Sequence, residues 1–145
     1  TAVADRSGLN SLVGSDTITD FHSGVDSLVV SRVGLPLGDG DLLMEGAVTI
    51  AGPGGFAASA ELVICSADIS GSITADSAAA AMGEATESYA VGQTALFVVD
   101  NGTDTAVYYF KALNADATID ANELTLLATL DNCGQTTVSD YLWGA

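Results

Sequence analysis

At 145 residues and 48% hydrophobic content, the chain has length for one domain, 1–145, that buries roughly two-thirds of the surface its unfolded form exposes. Arg6, Arg32 and Lys111 are the only basic side chains against 19 carboxylates, a formal net charge of -16, so nucleic-acid and anionic-membrane surfaces are not expected partners. The apolar content excludes a disordered acidic tail, and no apolar run approaches the ~18 residues of a membrane-spanning helix, so no membrane insertion is expected.

Residues 1–35 read as a loop followed by strands, with Thr17 to Phe21 and Ser27 to Val33 as β-prone runs around the turn His22-Ser23-Gly24. Within them Ile18, Phe21, Val25, Leu28 and Val30 can enter a core, while Asp16, Asp20 and Asp26 stay on turns and solvent faces. Pro36 to Asp41 is a second turn, Leu42 to Ala51 a strand candidate, and Ala51-Gly-Pro-Gly-Gly55 a surface loop. The unbroken Leu62-Val-Ile-Cys65 run makes Ala60 to Ser66 a buried strand.

Thr74 to Ala90 predicts the first of two helices: Thr74 can cap it, Asp76 lies near its positive end, and Ala78 to Met82 has high helix propensity, although Gly83 weakens the middle. Thr94 to Asp100 and Thr105 to Ala112 predict a hairpin around Asn101-Gly102. Phe97 and Val99 with Val107 and Tyr109 are placed on one face, Leu96 and Val98 with Tyr108 and Phe110 on the other, so the hairpin should lie centrally. Asp120 to Leu130 predicts the second helix, from an Asp120/Glu123 capping box and the stripe Leu124, Leu127, Leu130. Thr136 to Trp143 offers a last strand. The sum is a mainly β, single-domain β-sandwich or β-roll-like fold with two short helices.

Fourteen of the 19 acidic residues are Asp, set beside Gly, Ser, Asn and Thr, and hard oxygen ligands on turns suit calcium; Asp is equally an ordinary turn residue. The candidate ligands are Asp16, Asp20 and Asp26; Asp39 and Asp41 in Gly38-Asp-Gly-Asp41; and Asn114, Asp116, Asp120 and Glu123. This last group looks like a shortened EF-hand or dockerin-type loop, but it falls short of the 12-residue calcium loop and lacks its sixth-position glycine, and a plain helix cap on Asp120 and Glu123 explains the same residues. Cys65 and Cys133 would close a loop of about seventy residues, a bridge contributing about 4 kcal/mol in the chain-entropy model, and sequence leaves their pairing open. His22 is the sole histidine; no Ser-His-Asp set, zinc set or nucleotide-binding glycine motif can be assembled around it, and 6% aromatic content gives little platform for a sugar.

The pattern from Gly14 through Asp26 to Leu28, G-x-D-x-I-x-D-F-x-x-G-x-D-x-L, resembles the segment that closes the calcium-binding β-roll of RTX-type exported proteins, such as serralysin proteases and bacterial surface-layer proteins. The likeness covers roughly residues 1–35, and the ending Ser139-Asp-Tyr-Leu-Trp143 is similar to the acidic-then-apolar ends of that family. The resemblance implies a secreted or cell-surface location, type I secretion machinery or surface-assembly subunits as partners, and calcium as cofactor. It transfers no catalytic residue. The expected function is a noncatalytic C-terminal module of a secreted or surface-displayed bacterial protein, supporting calcium-linked folding, type I secretion and surface assembly. A carbohydrate- or protein-binding adhesion module would instead show an exposed aromatic patch near Tyr141 and Trp143, and a small hydrolase would need His22 in a cleft beside a nucleophile.

Overall fold

Short β-branched and aromatic runs separated by glycine turns settle into two sheets in this computed structural model, which describes residues 6–9, 15–31, 34–38 and 44–144. The strands are β1 (Arg6–Leu9), β2 (Asp16–Ile18), β3 (Ser27–Ser31), β4 (Val48–Ile50), β5 (Leu62–Cys65), β6 (Thr94–Asp100), β7 (Thr105–Lys111), β8 (Leu124–Leu130) and β9 (Tyr141–Gly144), with one helix, α1 (Ala75–Met82). Six strands form a mixed sheet in the order β2-β8-β7-β6-β5-β4, and three form a parallel sheet in the order β1-β3-β9. The fold is thus mainly β. The chain winds from β1 in the small sheet to β2 in the large one and back to β3, which lies parallel to β1 with Arg6 opposite Ser27 and Leu9 opposite Val30.

Two cores flank the large sheet. Leu28 and Val30 of β3 and Tyr141 of β9 pack against Leu62, Ile64, Leu96, Val98, Val107, Tyr109 and Leu130, filling the space between the sheets. On the opposite face Val63, Phe97, Val99, Tyr108 and Phe110 meet Ala78, Ala79 and Met82 of α1, with Phe56 and Tyr89 from the loops. Phe56, Phe97, Phe110 and Tyr89 form a chain of ring contacts with centroids 4.7–5.6 Å apart. Because side chains alternate along a strand, a central strand covered on both faces must be apolar throughout, and β6 is buried from Ala95 to Asp100.

The hairpin lies centrally as expected, but its faces are paired differently. Asp100 lies opposite Thr105, so even positions of β7 meet odd positions of β6, and Phe97 shares its face with Tyr108 rather than with Val107 and Tyr109. The second helix is not formed. Asp120 and Glu123 bracket a single 3₁₀ turn, Ala121–Glu123, after which the chain enters β8 between β7 and β2. The pairing slips between Val107/Ala128 and Tyr108/Leu126, leaving Leu127 as the extra residue of a bulge. That insertion puts leucines at 124, 127 and 130, a spacing that imitates a helical stripe.

The first helix is real but stops at Met82, well short of Ala90. Gly83 ends it at φ 72, donating its N–H to Ala79 O. A Cβ at that position would come within 2.9 Å of Pro53 Cβ and 3.0 Å of Gly54 N, so the glycine both reverses the chain and admits the 51–55 loop.

Candidate functional site

Among the described candidate ligands, Asp26, Asp116 and Glu123 accept backbone N–H groups in separate turns. Asp26, 6% exposed, accepts the His22 N–H at 2.7 Å, closing the turn that leads into β3. Asp16 on β2 and Asp20 after it are exposed. Asp140, 1% exposed, accepts from Gly24 N–H at 2.8 Å, the Ser23 hydroxyl at 2.6 Å and Thr137 N–H at 2.8 Å. One carboxylate therefore ties the 22–26 turn to the turn preceding β9, more than a hundred residues away in sequence.

Glu123 does the same in the 113–123 loop. Buried at 4% exposure, it accepts Leu113 N–H at 2.9 Å through Oε1 and Asp120 N–H at 3.0 Å through Oε2. Asp116 accepts Thr118 N–H at 3.1 Å, and the Asn114 amide, once its oxygen and nitrogen are exchanged, donates to the same carboxylate at 3.0 and 3.2 Å. The loop is thereby held by its own side chains, in agreement with the capping alternative. Glu61, on the loop into β5, accepts Glu45 N–H at 2.7 Å and packs on Gly38; together they wall a cavity of about 380 Å³ with Ser59, Ala90 and Gln93. Asp39 and Asp41 lie outside the described residues. Among the described residues no group of three or more His, Cys, Asp or Glu side chains is gathered in a way that could hold a metal ion.

A second acidic arrangement stands at the tip of the β6–β7 hairpin. Asp100, 2% exposed, accepts Gly102 N–H at 3.0 Å with its side chain and Ile69 N–H at 2.8 Å with its carbonyl. Asp68, exposed on the loop after β5, brings its carboxyl to Asp100, with Oδ2 2.9 Å from where a Cβ on Gly102 would stand. Burial, followed by the hydrogen bond that the protonated Asp100 carboxyl donates to Asp68, pushes the Asp100 carboxyl up to about 6, with the Gly102 N–H opposing. The same loop contributes Ala67, Asp68 and Ile69 to a cavity of about 370 Å³ that reaches α1 at Ala80 and Ala81.

His22 has a side chain 59% exposed, with Nδ1 2.7 Å from Asp20 O and 3.6 Å from Asp26 Oδ2. The neighbouring Ser23 hydroxyl is turned to Asp140. Cys65 and Cys133 are free thiols in the two different cores, on opposite faces of the large sheet, so the bridge left open by the sequence is not made. Burial raises both thiols above their ordinary range, which disfavours the reactive thiolate. Tyr141, one of the two aromatic residues proposed for a binding patch, is core: 4% exposed and hydrogen-bonded to Thr136 at 2.8 Å.

Sequence reasoning missed Asp140, Asp100 and Glu61 as buried acids. Thr137-x-x-Asp140 carries the signature of a capping box, and Asp100-Asn-Gly carries that of an Asx turn, so two of the three had a local signal. Glu61, at the edge of an apolar run, had none. No protein-family model, curated protein or solved structure matches this chain.

Proposed function

We propose that the chain is a noncatalytic C-terminal module of a secreted or surface-displayed bacterial protein, supporting calcium-linked folding, type I secretion and surface assembly. The observation that carries this reading is the use made of the acids: Asp26, Glu61, Asp100, Glu123 and Asp140 are buried, and each has backbone N–H groups as its partners or as part of them. Carboxylates engaged in this way fasten loops and are poorly placed to exchange protons with a substrate. The parallel winding of β1, β2 and β3 between two sheets supports the likeness of the opening segment to the end of a β-roll.

The calcium part of the proposal rests on the exposed acids as a set. With so few basic side chains, the folded chain concentrates negative charge that only ions from solution can neutralise, and any ion that binds the folded form better than the unfolded one stabilises it by mass action. Occupancy at a hundred times the dissociation constant would contribute about 2.7 kcal/mol. Thermal unfolding in calcium chloride, and in chelator with sodium chloride at equal ionic strength, is the test. A higher melting temperature in calcium is expected; equal values would remove calcium from the proposal.

A further inference from the structure

We propose that Asp68 and Asp100 form a proton-operated latch that fastens the 66–72 segment to the tip of the β6–β7 hairpin, closed while the pair holds a proton and released when both carboxyls are ionised. Three contacts define the junction. Ile69 N–H donates to Asp100 O at 2.8 Å, Asn101 Nδ2 donates to Gly71 O at 3.0 Å, and the Asp68 carboxyl lies over Gly102 against Asp100. A pair of carboxyls in contact is cohesive with one proton, since the protonated group donates to the ionised one, and repulsive with none.

Among the described residues, the groups around Asp100 offer no cation to replace that proton. From β5 comes the Cys65 thiol, whose interaction with Asp100 is unfavourable to a second negative charge. From the turn comes Asp104, whose Oδ1 is taken by Asn132 N–H at 2.9 Å, and from β7 the neutral Thr105 lies opposite. The 131–134 segment abuts Gly102 through Gly134 and brings Asp131, another acid. Among the described residues the sole ion pair is His22 with Asp26, in a different turn. The Ala67–Ile69 stretch also walls the cavity next to α1, so the latch sets the shape of that opening.

The sign follows from the proton count. Asp100 holds its proton up to about pH 6 in the closed arrangement, against the ordinary value of 3.8 once exposed. Closure is therefore strongest near pH 4, weakens as pH rises towards 6, and is level above that, a change in the opening equilibrium on the order of ten- to a hundredfold.

The experiment is amide hydrogen exchange at Ile69, corrected for intrinsic rates and compared with Phe97 in the core, from pH 4 to 7.5 in the whole chain and in Asp100→Asn and Asp68→Asn. Asp100→Asn removes the titrating group, and its amide can donate where the proton stood, so that variant keeps the latch shut at every pH; Asp68→Asn, at an exposed position, leaves Asp100 buried but removes the carboxyl pair, and preserves the test if the buried variant does not fold. Expected is a rise in Ile69 opening in the wild type, of the stated size and absent at Phe97, with a flat profile in Asp100→Asn and a smaller rise in Asp68→Asn. A flat wild-type profile, or the same rise persisting in a folded variant, overturns the latch.

Discussion

Glu123 and Asp140 show how a single side chain fixes backbone at a distance. Each places both carboxylate oxygens on N–H groups of turns that have no ladder partner, and a charged acceptor makes such bonds stronger than neutral ones. Asp140→Ala strands two N–H groups and a hydroxyl, and should cost about 2–4 kcal/mol in denaturant unfolding; Asp140→Asn, which keeps one acceptor oxygen, should lose less. The Tyr89 hydroxyl is the opposite case: it is buried and, among the described residues, is the one such side-chain group without a hydrogen-bond partner. Burial first, then the charges of Glu87 and Glu123, pushes its phenol far above the ordinary range, so it stays neutral and its unsatisfied oxygen is a cost. Tyr89→Phe should leave the melting temperature unchanged or raise it by the equivalent of about 1 kcal/mol; a clear fall would reveal a partner for that hydroxyl.

Elements were legible where sequence period and pairing partner agree. The β6–β7 hairpin was bounded nearly to the residue, because two β-rich runs flank a turn that few residues but Asn-Gly favour. Its face assignment failed because register depends on how many residues the turn consumes, here the four between Asp100 and Thr105. β8 was read as a helix because the Leu127 bulge inserts one residue into an alternating strand, and the Asp120/Glu123 box that opens it caps a 3₁₀ turn as readily as an α-helix. Local propensity lost there to pairing with β7 and β2. In α1 Gly83, a weak point by helix propensity, is the stop. Gly83→Ala must adopt a positive φ and displace Pro53, so thermal unfolding should show a loss of about 1–3 kcal/mol. Stability equal to the wild type would mean that the 51–55 loop gives way freely. For the candidate site, the Asp120 and Glu123 pair was visible as a cap, whereas the joining of Asp140 to Ser23 and Gly24 depends on the meeting of β9 with β3, which no local pattern encodes.

Across the whole molecule, charge and fold divide the acids into two populations. The buried ones accept backbone N–H groups, which fastens the loops they sit beside. The exposed ones carry the unbalanced charge that links stability to solution ions, and raising sodium chloride from low to moderate concentration should raise the melting temperature by screening their repulsion. The most direct measurement is chain-wide hydrogen exchange on Glu123→Ala beside Asp140→Ala. If buried acids are fasteners, the first should speed exchange tenfold or more at Leu113 and Asp120 while leaving Gly24 and Thr137 protected, and the second should do the reverse. Protection lost at neither pair, or lost uniformly along the chain in both variants, would contradict the account.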